Sequence, residues 1–577
     1  MFTKNETHLQ KDLFGIEGQL SKAKKKKLHN SKEMYFYKEI FCKIDEADFS
    51  CLFSAEYSRP NAPVNALVAS SILKEHNGWT IDELLKRIDF DLLTRTALGL
   101  SDLSETPFCP ATYFNFQNRI LDHFLSTGEN LIEHVFDKMT ASQLKRLKIK
   151  TDIQRMDSFQ ALSNIRSYSR IQLLIEMLLR LYRVLSNRKQ KLFKELLSPY
   201  LSQTSSKYVY GLKGSDITHE LEKLAEAYHK IYSVLNDTYS QKEVFQIFAR
   251  VYTEHFTVVS GKIKITDAKE ISSGSLQSPD DLDATFRSKN GKKHKGQVVN
   301  VCETANPDNE LNLITDVTVA ANNTDDSKLL NERLDKIKSK TPDLNELHTD
   351  GAYGSADNDL KMEVNRINHV QTAVRGPQAQ IEMRIEETAP QQYLVSCPGQ
   401  QVVSEKTRTR FKASFNTETC AQCPQADRCQ TIKQKKKRVF YFDEDMVRLC
   451  RRAHAIEKLP AERQKLRPNV EATVKEFCKG FNHKGKLRVR GWFKTMLFAF
   501  FRSIAINLGR IYRYMRQKPT KSLSPGLIRF ALLLFHSLSE GIRSFSRSDT
   551  SSIPNFQRTV NVINLWTKVY FYPRLAF

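Results

Sequence analysis

Three acidic residues in this chain stand where element boundaries could turn them into chemistry. Asp350 lies in LHTDGAYGS (347–355), at the mouth of an apolar-polar alternation that turns at once through Gly351 and reaches Gly354. Alone, Asp followed by Gly is a turn pair. Asp157 lies near the end of KIKTDIQRMDSFQ (148–160), which puts Ile153, Arg155 and Asp157 on one face and Gln154 and Met156 on the other, the period of a strand. Glu471 sits on a late helix, in RPNVEATVKEF. Carboxylates gathered together raise each other's pKa and need a counter-ion. Mg²⁺ (or Mn²⁺) takes hard oxygen ligands, commonly one or two carboxylates plus substrate phosphates. Two such ions, about 3.5–4 Å apart, would activate an attacking oxygen and stabilise a leaving one at a phosphodiester.

A second group is made of sulfur. Cys397 in YLVSCPG joins Cys420, Cys423 and Cys429 in ETCAQCPQADRC. Cys-x2-Cys with two further cysteines can build a closed four-sulfur zinc site of structural type, and free thiols are the alternative. The other six cysteines are scattered and read as packed.

The elements that must position these groups follow from periodicity. Residues 1–33 are polar, include KAKKKK (22–27), and read as a basic flexible arm. Residues 34–145 read as a helical DNA-binding domain. NAPVNALVASSILKEHNGW opens near Pro63 and closes at Gly78, and TIDELLKRI follows with Thr80 and Glu83 in a capping-box pattern. The short turn between them resembles a helix-turn-helix unit. A third helix after TPFCP offers Thr112, Tyr113, Asn115, Gln117, Asn118 and Arg119 to base edges and phosphates; a plain outer helix face is the alternative. Residues 146–516 hold strands at 148–160, 296–306, 311–323, 344–350 and 368–375, with helices between them from Asp325 and after Ser355. That order predicts an α/β layer around a mixed sheet. It is interrupted by a helical insertion (166–258) and a small Cys-rich, zinc-ribbon-like insertion (376–450). Residues 517–577 read as a helical tail. In an RNase H-like sheet the first and fourth strands lie side by side with a helix across their ends, so Asp157, Asp350 and Glu471 would converge.

Charge names the partner. The 577 residues carry 89 Lys and Arg against 65 Asp and Glu, a net charge of +24. A surplus of that size implies a polyanion, with nucleic acid the default and acidic membrane surfaces the rival. No apolar run approaches the roughly 18 residues of a spanning helix, and the N-terminus lacks an apolar signal core, so a cytoplasmic, membrane-free protein is expected.

Four separated blocks carry a resemblance: QRMDSFQALSNIRSYSRIQLL, SPDDLDATFRSKNGKKHKGQVVNVCETAN, LHTDGAYGS and VEATVKEFCKGFNHKGKLRVRGWFKTMLFAFFRSIAIN. Together they resemble DDE transposases of bacterial insertion sequences, most nearly insertion-sequence group eleven-eighty-two, whose members also carry helices like YSRPNAPVNALV and similar cysteines. The resemblance covers most of residues 35–515 and implies an RNase H-like core behind a helical DNA-binding region. It implies Asp157, Asp350 and Glu471 as catalytic, metal-holding residues. It also implies double-stranded DNA (element ends and target) as partner, a homo-oligomer assembled on that DNA, and a place near the bacterial nucleoid. A related branch has Tyr-x2-Arg-x3-Glu-x6-Lys around its glutamate. Here Arg467 and Glu471 fit, Gln464 holds the Tyr position, and Cys478, with Lys479 beside it, holds the Lys position. Arg467, Lys479, Arg119 and Asn115 are the DNA-contact candidates. Glu476 falls about 140° around the helix from Glu471 by 3.6-residue geometry and should point away; Glu462 precedes Pro468, where the helix should start. A metal-dependent nuclease without strand transfer, and a decayed DNA-binding protein, are the alternative readings.

Overall fold

In chain order the strands are β1 (Ile153–Leu162), β2 (Phe256–Val259), β3 (Lys262–Ile265), β4 (Thr285–Lys289), β5 (Lys292–Thr304), β6 (Ile314–Ala321), β7 (Glu346–Thr349) and β8 (Asn368–Gln371). They belong to a computed structural model that describes residues 1–9, 15–54, 59–289, 291–374 and 383–517. The central sheet runs β4-β5-β1-β7-β8, with β6 also paired to β5. β5 is antiparallel to β1, β4 and β6, while β1, β7 and β8 are parallel. The sheet is therefore mixed, the two Val-rich segments are antiparallel neighbours, and the strand leading to Asp350 lies directly beside β1, all as the element order predicts.

One expectation changes. Asp157 is not at the end of its strand, because Phe159 and Ala161 keep the alternation going inward and β1 runs on to Leu162. Asp157 pairs opposite Val301 in mid-sheet. Gly296 makes the close approach of β5 to the end of β1 possible. Its φ is 152°, and a Cβ there would meet the Ala161 carbonyl at 2.3 Å.

The N-terminal helices form much as their signals indicate. Val64–Asn77 ends on Gly78 in the left-handed region, and Ile81–Phe90 starts with a complete Thr80/Glu83 capping box. Pro110–Thr127 and Leu131–Leu147 follow. The 1–33 segment is not the free arm expected from its composition. Lys22–His29 is a helix capped by Ser21, the Asn5 amide donates to Glu46 at 2.8 Å, and the Ile16 amide donates to the Ser101 carbonyl at 2.8 Å. Nor do residues 34–145 keep a core to themselves. Phe36, Leu67, Phe116 and Phe136 share one cluster with Phe159 and Val299 of the sheet and with Leu497, Phe500 and Ile504 of the long helix Trp492–Gln517. Arg502 on that helix donates to the carbonyls of His76 (2.9 Å) and Glu476 (2.6 Å), joining Val64–Asn77 to Val470–Cys478.

The first insertion is helical, from Arg170–Val184 to Glu243–His255, around its own core of Leu174, Phe193, Tyr228 and Phe248. The second is larger and more regular than a small zinc ribbon. β9 (Arg384–Ala389), β10 (Gln392–Ser396), β11 (Gln401–Lys406), β12 (Phe411–Asn416), β13 (Ile432–Lys433) and β14 (Lys437–Phe442) form a six-stranded sheet over Tyr393, Phe411, Phe415 and Phe442. Residues 1–512 form one unit and 513–577 another; beyond Gln517 the predicted tail lies outside the described residues. No helix among the described residues is long and apolar enough to cross a membrane.

Candidate active site

Strand register sets the first two carboxylates side by side. Arg155 of β1 pairs with His348 of β7, so Asp157 and Asp350 stand two residues further along neighbouring parallel strands. β7 stops at Thr349, and Asp350 caps the turn that follows: its Oδ1 accepts from the Ala352 amide at 2.9 Å. Asp157 Oδ1 likewise accepts from the Ser158 amide at 2.9 Å. Each aspartate thus keeps one oxygen for another partner, and the partner is the same. Arg467 Nη2 lies 2.9 Å from Asp157 Oδ2 and 3.5 Å from Asp350 Oδ2. Its Nη1 lies 3.8 Å from Glu471 Oε1. The three carboxylates predicted from far apart in sequence meet on one guanidinium.

They do not meet as equals. The Asp157 side chain is 12% exposed and that of Glu471 60%. Burial pushes the Asp157 carboxyl up, Arg467 pulls it down, and neighbouring Asp350 pushes it up again; the net direction is up. Arg467 is also not on the glutamate helix. That helix is Val470–Cys478, and Arg467 belongs to the turn before it.

The turn and the helix are held from below. Arg155 donates from Nη1 to the Leu466 carbonyl (3.0 Å) and from Nε to Glu303 Oε1 (2.7 Å). Glu303 is fully buried, and its Oε2 accepts from Thr473 Oγ1 at 2.6 Å and from Arg510 Nη1 at 2.7 Å. Arg510 reaches on to Glu476 Oε2 at 2.9 Å. Glu476 therefore points away from the carboxylates, as helix geometry requires, into a buried ion network. Phe477 packs on Phe159 of β1 with ring centroids 5.3 Å apart.

Sequence reasoning missed a further acidic side chain. Asp326 opens the helix Asp326–Lys340, is 3% exposed, and accepts from Ser158 Oγ at 2.6 Å, one residue from Asp157. Burial pushes its carboxyl up, against the Ser158 bond and Arg287, whose Nη2 is 4.0 Å away. Buried Tyr353 closes this side and donates to Asn300 Oδ1 at 3.3 Å. The second glycine of the aspartate loop is explained here too. A Cβ on Gly354 would lie 2.7 Å from Arg452 and 2.8 Å from Gln371.

The remaining candidates fall elsewhere. Lys479 caps the far end of the glutamate helix, and its carbonyl faces Gly78, so it does not join Arg467. Asn115 and Arg119 are exposed and line a cleft of about 900 Å³ with Thr112 and Arg59. Arg119 is partly engaged, donating to the Leu52 carbonyl at 3.3 Å and lying over Phe53. Tyr113 cannot read a base, because it is fully buried against Ser71 Oγ at 2.9 Å.

The four cysteines line one cavity of about 20 Å³ beneath β12 and β14, room for a single water-sized body. Burial pushes the Cys420 thiol up, Arg438 pulls it down, and Cys397, Cys429 and Cys423 push it up. Its sulfur accepts from Gln400 Nε2 at 3.2 Å. None of the four is in a disulfide. Among the described residues, no three His, Cys, Asp or Glu side chains are grouped closely enough to hold a metal ion as they stand. At the carboxylates the donors are all hard oxygens, so their chemistry fits a divalent ion, and the space between them is filled by Arg467.

Residues 390–512 match a family described as "Transposase DDE domain". The match takes in the cysteines, Arg467 and Glu471, and leaves out the strands that carry Asp157 and Asp350. No curated protein and no solved structure matches the chain. The mixed sheet is compatible with a DDE nuclease fold, and the family match supports a DDE transposase, an enzyme of the nuclease and transposase kind whose substrate is DNA and whose class works with divalent metal ions.

Proposed function

We propose that the protein is an insertion-sequence transposase of the group eleven-eighty-two type, built on an RNase H-like core. It would bind the terminal inverted repeats of its element, cut them, and join the released ends to a target. The observation that carries this reading is the convergence of Asp157, Asp350 and Glu471 on Arg467 from a strand, a strand end and a helix.

Asp157 Oδ2, Asp350 Oδ2 and the Glu471 carboxylate are the groups that would hold Mg²⁺ or Mn²⁺. Two ions bound there supply activation of the attacking oxygen and stabilisation of the leaving one. The chain's own part is positional. Ser158 and the Ala352 amide fix the two aspartates, and the Glu303 network fixes the turn bearing Arg467 and the helix bearing Glu471. A phosphate entering the site gives Arg467 an anionic partner beyond the three carboxylates, for which a planar, two-pronged donor is suited. Cys397, Cys420, Cys423 and Cys429 are proposed as a structural zinc site that locks the β9–β14 sheet. Joining two ends implies a homo-oligomer on DNA, acting at the nucleoid.

The test uses the full-length protein, Mg²⁺ and a labelled duplex made from the DNA flanking the gene, with a plasmid as target. Nicking at the repeat boundary and joined products support the reading. Nicking that never yields a joined product would instead establish a nuclease. Binding with no cleavage in any divalent metal would establish a decayed binding protein.

A further inference from the structure

The β4–β5 hairpin carries more positive charge than its fold can use. Opposed residues on antiparallel strands share a face, and the register opposes Arg287 to His294 and Lys289 to Lys292. One face of the hairpin therefore lines up Arg287, Lys289, Lys292 and His294. Like charges directly opposite one another destabilise a strand pair, yet Lys289 faces Lys292. Both lysines are exposed; Lys289 acts on the Asp326 carboxylate through space, pulling its pKa down, and among the described residues neither lysine makes an ion pair within 4.0 Å. The strain is felt by His294: burial pushes its ring pKa down, and Lys289, Lys292 and Arg287 push it further the same way.

The root of this face is anchored at the catalytic flank. Arg287 donates from Nη1 to the carbonyls of Asn322 and Thr324, both at 3.2 Å, and faces Asp326 at 4.0 Å. Asp326 in turn holds Ser158, next to Asp157. The strands are pinned in the sheet by the Thr285–Gly296 pairing and by the bond of 2.8 Å from Thr285 Oγ1 to Asn322 Oδ1. The hairpin thus carries two unpaired lysines, beyond Arg287, outward from the edge of the carboxylate cluster, on the side served by Asp326 and not by Arg467.

We propose that this face grips the sugar-phosphate backbone of the DNA beside the scissile phosphate, Lys289 and Lys292 each neutralising one phosphate. The proposal rests on the transposase reading and deepens it. It names the surface that holds the duplex next to the cutting site, through contacts that carry no sequence information. Phosphates supply the counter-charge that the protein withholds, and flexible ammonium groups at a hairpin edge suit a backbone whose sequence varies.

Two duplexes serve as probes for full-length protein: one from the DNA flanking the gene and one of unrelated sequence. Binding is measured across a salt series for the parent, for Lys289→Gln/Lys292→Gln, and for Lys293→Gln, whose residue opposes Ser288 on the other face. Each lost phosphate contact removes about 0.9 from the slope of log affinity against log salt. The double variant should lose nearly 2 from the slope on both duplexes, and Lys293→Gln should keep the parental slope. A parental slope in the double variant, or an equal loss in Lys293→Gln, overturns the proposal and leaves the transposase reading standing. A parent that binds neither duplex overturns both.

Discussion

Arg467 reaches across to Asp157 with Nη2 at 2.9 Å and so occupies the ground between carboxylates that a divalent ion would need. Without metal, the arginine is the counter-ion of the site. Removing it leaves Asp157 and Asp350 facing each other with their repulsion uncompensated, which strengthens their demand for a cation. Arg467→Gln should therefore bind Mn²⁺ about tenfold more tightly by calorimetric titration, a gain of about 1.4 kcal/mol. Unchanged or weaker Mn²⁺ binding would show that the arginine and the metal do not compete.

Glu303 is the keystone under the glutamate helix, because two arginines and Thr473 depend on it in a fully buried position. Glu303→Gln keeps the shape and removes the charge. Breaking a buried pair by altering one partner costs roughly 3–5 kcal/mol. Urea unfolding should show a loss of that size. Glu476→Gln, whose side chain is 22% exposed at the rim of the same network, should lose less than Glu303→Gln.

Much of this site was legible in the sequence. Strand periodicity located Asp157 and the aspartate loop, and element order placed their strands together. Glu471 was harder. Its spacing from Arg467 also suits a surface salt-bridge ladder, and the family resemblance was what singled it out. Asp326 escaped because TDDSKLL announces only a helix start. Asp325 caps it by accepting from the Ser327 amide, and nothing local reveals that its neighbour turns inward to Ser158. Arg155–Glu303 is a pairing across strands far apart in sequence, fixed only once the register is known. The β9–β14 sheet was missed because segments such as RIEETA and QVVSEK are short and heavily charged. The shared core of the N-terminal helices could not be read either, since an amphipathic helix does not say which partner its apolar face meets.

Purified protein should carry one zinc per chain. The four thiols that line the cavity under β12 are its proposed ligands. Cys420→Ser/Cys423→Ser should remove the metal and loosen residues 384–442 in hydrogen exchange, while the central sheet keeps its protection. Metal-free protein prepared without chelator, with the β9–β14 sheet fully protected, would rule the zinc site out.

Acid should weaken the helical insertion through His255. Its ring is buried, both nitrogens lack hydrogen-bond partners, and burial followed by Arg170 pushes its pKa from 6.5 down to about 4. The folded state holds the ring neutral while the unfolded chain takes up a proton below about 6.5. This contribution is therefore complete above that pH and is lost as pH falls towards about 4. Between pH 7 and pH 5 the loss is about 2 kcal/mol. Urea unfolding of His255→Gln should lack that part of the pH dependence; identical pH dependence in parent and variant would contradict it.

The central claim is that Asp157, Asp350 and Glu471 hold the metal at which DNA is cut, and the direct measurement is Mg²⁺-dependent cleavage of a labelled duplex from the DNA flanking the gene. Asp157→Asn, Asp350→Asn and Glu471→Gln keep size and hydrogen bonding and remove the charge that holds a cation. All three should lose cleavage while binding the duplex with near-parental affinity. Glu476→Gln, on the same helix but turned into the Arg510 network, should cut almost normally. Full cleavage by Glu471→Gln, or no cleavage by a folded Glu476→Gln, would contradict the account.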